Sequence, residues 1–139
     1  MARAMGFMLA LLLTGCKGHI SREALKNLNG YWEISRVEAA DGKEKTYSLN
    51  PTIDYIQLQG DHGFRKKVQP RSDGTFDTSN DAIFFTVQEK QGAFFMVYQG
   101  EDSEWSEQLI QLSEKAFGVV NEQNITYRYR RYQPVETHP

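Results

Sequence analysis

The sequence predicts an all-β protein: an up-and-down antiparallel barrel or sandwich, with about eight strands if it closes into a barrel, entered through one short helix. Three observations carry that expectation. Aromatic and β-branched residues, including seven tyrosines, eight phenylalanines and two tryptophans, fall in short runs of strand composition. Gly, Asp and Asn interrupt the runs at regular intervals, as turns require. Apart from 39–52, the links are too brief for parallel crossovers, which take about a dozen residues or more.

The helix comes first. Ser21 suits an N-cap, Glu23 lies in the first turn where the helix dipole favours an acid, and Asn29-Gly30 supplies the stop. Ile20 ahead of the cap can meet Leu25 as a staple. Leu25 and Leu28 make an apolar face too short to be stable alone, so the helix must dock on the strands.

Nine strand runs follow, at 31–38, 53–59, 63–69, 74–78, 83–89, 93–99, 104–112, 116–121 and 125–132. Turns are expected at Asp41-Gly42, Gly60-Asp61, Asp73-Gly74, Gln91-Gly92 and Gly100-Glu101-Asp102. Run 93–99 is apolar on both faces, Phe94, Met96 and Tyr98 against Phe95 and Val97. Run 125–132 has one wet face: Ile125, Tyr127 and Tyr129 alternate with Thr126, Arg128 and Arg130.

An eight-strand barrel is either filled by side chains or holds one small ligand. The bulky candidates for inward, ligand-contacting positions are Tyr55, Phe85, Met96, Tyr98, Trp105, Tyr127 and Tyr129. So many rings would fill the interior, and the alternative is a pocket for a fatty acid or similar apolar molecule. In run 63–69, Arg65 and Lys67 share one face and Lys66 joins Phe64 and Val68 on the other. If Phe64 and Val68 face inward, Lys66 presents a cation to a ligand near the mouth; otherwise it is a lysine guarding an edge strand.

Composition narrows the function classes. A formal net charge of −2 argues against nucleic acid, which needs a basic surface. A single cysteine rules out an intrachain disulfide. His19, His62 and His138 have no metal-ligand spacing. No nucleophile elbow, triad or phosphate loop is visible, so neither an enzyme nor a resident cofactor is expected. Asp54, Asp61, Asp73, Asp77, Asp81, Asp102 and Glu104 are read as turn and solvent carboxylates. Asn124-Ile125-Thr126 matches a glycosylation sequon and is taken as incidental.

Residues 1–15 have the anatomy of an export signal: Arg3, an apolar stretch from Ala4 to Leu13, then Thr14 and Gly15. The stretch falls short of the roughly 20 residues that span a bilayer. Leu13-Thr14-Gly15-Cys16 resembles the lipobox of bacterial lipoproteins, which implies that Cys16 is acylated and becomes the first mature residue. Several acyl chains anchor firmly, where one gives only marginal binding. Lys17 after the cysteine, by the sorting rule of such lipoproteins, points to the outer membrane, and the absence of acid from residues 17–20 points to its periplasmic leaflet. The expected organisation is a signal at 1–15, a lipidated tether at 16–20, a barrel at 21–133 and a tail at 134–139.

Leu28-Asn29-Gly30-Tyr31-Trp32 resembles the opening of the lipocalin-like barrels, where a short helix leads into Gly-x-Trp on the first strand. The likeness continues through Asp41-Gly42-Lys43, Ile110-Gln111-Leu112-Ser113 and the closing segment from Tyr127 to Tyr132. It covers residues 25–132 and is typical of small lipocalin-like lipoproteins of Gram-negative envelopes. The resemblance implies an eight-strand barrel, which makes 74–78 a loop or the extension of a neighbour. It also implies that Trp32 plugs the closed end beneath an arginine of the last strand, Arg130 or Arg128. The implied function is binding of a small apolar or amphipathic ligand inside the barrel. The alternative is an envelope protein-interaction or inhibitor module with a filled core. With a tether reaching roughly 15 Å, the closed end would lie against the membrane and the mouth would face away.

Overall fold

A computed structural model of the chain describes residues 19–48, 50 and 52–133. The expected signal, Cys16 and the expected tail lie outside the described residues.

The short helix spans Glu23–Leu28 and is a 3-10 helix. The N-cap position falls on Arg22, one residue later than expected, while Ser21 Oγ still accepts from the Ala24 amide at 3.2 Å. The strands are β1 Gly30–Glu38, β2 Glu44–Thr46, β3 Ile53–Gln59, β4 His62–Pro70, β5 Phe76–Thr78, β6 Ile83–Lys90, β7 Ala93–Gln99, β8 Glu104–Leu112, β9 Ala116–Asn121 and β10 Thr126–Arg131.

Eight of them close a ring, β1-β3-β4-β6-β7-β8-β9-β10, and β10 returns to β1, every pairing antiparallel. Closure leaves no free edge in the ring. The other two strands extend the wall: β2 pairs the second half of β1, and β5 the second half of β4. The run at 74–78 is therefore an extension of its neighbour, held because Phe76 stacks on Tyr31 with centroids 4.3 Å apart. β2, all exposed, carries no apolar pattern, and sequence reading missed it.

Turn chemistry follows the sequence. At Gln91-Gly92 both residues have positive φ, 52° and 78°, in a two-residue loop between the register partners Lys90 and Ala93; this is the primed geometry that matches strand twist.

Inward side chains from seven of the eight ring strands, all but β4, build one core. Leu25 and Leu28 of the helix enter it from the closed end, beside Trp32, Phe117 and Val119. Trp32 is fully buried, donates from Nε1 to the Leu28 carbonyl at 2.8 Å, and meets Phe117 edge-on at 4.7 Å.

The arginine over Trp32 is Arg131, not Arg130 or Arg128. Its guanidinium lies 4.0 Å from the ring centroid, a cation–π distance. It donates to the carbonyls of Glu114, Asn29 and Asn27 at 2.8, 2.6 and 2.8 Å. Alternation is the reason: residue 131 shares parity with the inward Tyr127 and Tyr129 and is paired with Trp32 across β1–β10. Arg130 and Arg128 have outward parity, and bind Glu33 and Glu38 on the outer face.

The same geometry explains Gly30. It has φ 124°, a region L side chains rarely adopt, and a Cβ there would collide with the Arg131 guanidinium. The first residue of the Gly-x-Trp motif is small so that the closing arginine can pass over it.

Candidate functional site

The closed half of the barrel is filled. Met96, Phe85 and Phe94 are 1%, 2% and 4% exposed and interlock with the closed-end residues. At the opposite end the wall opens on a cavity of about 480 Å³, within the range of small-molecule sites.

One wall of this mouth is aromatic. Tyr98 and Trp105 are register partners on β7 and β8, their rings stacked at 5.6 Å. Trp105 keeps 37% of its surface exposed at the rim. Tyr127 and Tyr129 of β10 face them, with Ile83 beside Arg65 across β4–β6.

The floor is polar, and its centre is Arg65. The guanidinium donates to Asp54 Oδ2 at 2.5 Å, to Tyr129 Oη at 2.7 Å and to Tyr98 Oη at 3.0 Å, and lies 4.9 Å from the Tyr129 ring centroid. Asp54 is also ion-paired to Lys67. Burial opposes the charge of Asp54, yet Arg65 and Lys67 outweigh it and hold the carboxyl below its ordinary range. Burial also works against charge on Arg65, and the surrounding tyrosines, Asp54 and Glu107 reverse it, leaving the guanidinium's pKa well above its usual value. Burial pushes the Tyr98 and Tyr129 hydroxyls up despite the neighbouring guanidinium. Glu107 and Glu122 complete the rim, with Glu122 Oε1 accepting from the Ser106 amide and hydroxyl at 3.3 and 3.1 Å.

The residues expected to meet a ligand divide three ways. Tyr98, Trp105, Tyr127 and Tyr129 line the mouth. Phe85 and Met96 point inward below it, as core. Tyr55 and Lys66 lie on the outer face: Tyr55 packs on Tyr31 at 4.8 Å, and the Lys66 ammonium sits 5.9 Å from the Tyr55 ring and 6.0 Å from that of Phe64. β4 thus has the parity opposite to the one that would turn Lys66 inward. Nor is β4 an edge strand, since it pairs β3 and β6. Gly63 fixes this parity, because it faces Phe85 across β4–β6 and a Cβ there would lie 2.7 Å from the Phe85 ring. Arg65 and Lys67 follow inward at the two-residue period.

Asp54 is not a turn carboxylate. It is 2% exposed as the second residue of β3, the counter-charge of the floor. Among the described residues no cluster of His, Cys, Asp and Glu could hold a metal.

A lipocalin-like domain model matches residues 28–119. The chain belongs to the lipocalin-like domain family. A solved lipocalin-like protein from Bacteroides uniformis aligns with it at 13% identity and a TM-score of 0.48, over 76% of this chain and 99% of its own. No curated protein matches the chain. Lipocalin-like domains are generally binding proteins rather than enzymes, and the barrel is of a kind that supports ligand binding.

Proposed function

We propose that this lipocalin-like protein is an anchored lipoprotein of the bacterial envelope that binds a small amphipathic ligand at the barrel mouth. The observation that carries the reading is the cavity between Tyr98, Trp105, Tyr127 and Tyr129, closed below by packed core and floored by Arg65. A deep calyx is not available to the ligand, so its apolar part lies against the aromatic wall and its polar part stays within reach of the rim. Acylated Cys16 would hold the protein on the periplasmic side of the outer membrane. The helix lies at the closed end, so a tether of residues 16–20 would set that end against the lipid and turn the mouth to the periplasm. Native mass spectrometry of the unlipidated chain tests the binding. A retained lipid-sized mass, displaced by the double variant Trp105→Ala/Tyr127→Ala, supports it; an empty barrel whose unfolding no amphipath shifts refutes it.

The alternative, a protein-interaction or inhibitor module, draws on a different observation. Phe84 is 64% exposed on the outer face of β6, 6.4 Å from Phe64 in the chain of rings that continues to Tyr55, and a contiguous exposed apolar patch is what marks a contact site. An unaltered ligand response in Phe84→Ser together with loss of a co-purifying protein would favour it.

A further inference from the structure

We infer that the mouth selects an organic cation on an apolar body, a primary or quaternary amine, over a carboxylate or phosphate of the same size. This rests on the mouth-binding reading above and adds the sign of the ligand's charge. The argument comes from which charged groups at the cavity still have capacity to interact.

The two cations are engaged. Arg65 has its side chain 11% exposed, with Asp54, Tyr98 and Tyr129 on its donors and the Tyr129 ring against its face. An anion reaching the guanidinium would be brought beside Asp54 and Glu107, whose oxygens lie 2.5 and 3.7 Å from it, and like charges that close repel. Lys67 is paired to Asp54, and its side chain is 68% exposed; a lysine so hydrated contributes little to holding an anion.

The two rim carboxylates keep acceptor capacity. Glu107 has a side chain 13% exposed; it is ion-paired to Arg65 Nη1 at 3.7 Å, longer than a hydrogen bond, and sits beside the Tyr98 hydroxyl, so its two oxygens keep lone pairs for a further donor. Glu122 uses Oε1 on Ser106 and retains its second oxygen. Both line the same cavity as the stacked Tyr98–Trp105 pair and Tyr127. Aromatic faces with a carboxylate beside them attract a desolvated ammonium and repel an anion. With Arg65, Lys67, Asp54, Glu107 and Glu122 counted together, two positive charges face three negative ones.

The test uses residues 17–139, which contain the whole closed barrel, titrated below micellar concentration with dodecyltrimethylammonium, dodecanoate and dodecanol. Trp105 fluorescence is the readout, with the buried Trp32 as the unresponsive second fluorophore. At low salt and pH 7 the ammonium is expected to bind about tenfold more tightly than the carboxylate. Glu107→Gln and Glu122→Gln should each cut the ammonium's affinity several-fold and leave dodecanol unchanged; Glu122, at the β9–β10 turn, is the variant that spares the barrel wall. Equal or tighter binding of dodecanoate overturns the inference while the mouth reading stands. Binding of dodecanol alone, with no charge preference in either variant, does the same. Failure of all three probes to bind overturns both.

Discussion

Replacing Asp54 by asparagine tests the electrostatic floor of the mouth most directly. Asp54 and Arg65 have side chains 3% and 11% exposed, so the variant leaves a guanidinium with little access to water. Removing one partner of a buried pair costs about 3–5 kcal/mol. Here Arg65 keeps two tyrosine hydroxyls and the amide oxygen of the new residue, which places the expected loss nearer 2–3 kcal/mol. Lys67 adds little, being exposed enough for water to replace its partner. With a urea slope of about 1.5 kcal/mol/M, the unfolding midpoint by circular dichroism should fall by roughly 1–2 M.

The double variant Asp54→Asn/Arg65→Met should recover a good part of this, giving a coupling above about 1 kcal/mol. The pH dependence is a second readout. Because the folded-state carboxyl titrates below its unfolded value of about 4, its contribution is present at neutral pH and is lost as pH falls through the folded value. The parent and Asp54→Asn curves should therefore converge in acid, below about pH 4. A variant as stable as the parent at pH 7, or a gap that does not narrow in acid, would refute the assignment.

The closed end and the core give further tests by thermal or urea unfolding. Arg131→Ala, which loses three carbonyl contacts and the Trp32 ring, should cost about 2 kcal/mol, whereas Arg130→Ala on the outer face should cost less than about 1; equal losses would contradict the closure described. Gly63→Ala brings a Cβ 2.5 Å from the Gln57 carbonyl and 2.7 Å from Phe85, overpacking worth about 2 kcal/mol, seen as a melting temperature lower by about 10 °C. For orientation, nitroxide lipids should quench a fluorophore at Gln91, in the closed-end turn, more than one at Asp41, in the turn after β1; the reverse order would put the mouth on the membrane.

The barrel was legible because its signals are local. Strand runs and turn glycines each depend on a few neighbouring residues, and they fall where the structure has them. β2 was not legible, because Glu44–Thr46 has no buried face and forms through its pairing with β1. The floor of the mouth was illegible for a different reason. Asp54, Arg65 and Lys67 are charged residues in strands, and a period-two reading assigns such residues to solvent. They face inward because the barrel is wet at this end, which nothing in either strand alone records.

The closing arginine and Lys66 show where alternation suffices and where it does not. In β10 the parity was already visible: with Tyr127 and Tyr129 inward, an arginine that reaches Trp32 from the same strand must have odd number, and Arg131 is the one beside it. In β4 both parities were plausible, because Phe64 and Val68 look like core residues. They are covered from outside. Phe64 lies in a chain of outer rings, 6.0 Å from Tyr55 and 6.4 Å from Phe84, while Val68 packs away from the main core beside its register partner Ile53. Apolar residues on the outer face therefore mimicked an inner one, and the discriminating residue was Gly63. Its missing side chain makes room for Phe85 inside the barrel, and that fixes Arg65, two residues on, as the cation of the mouth.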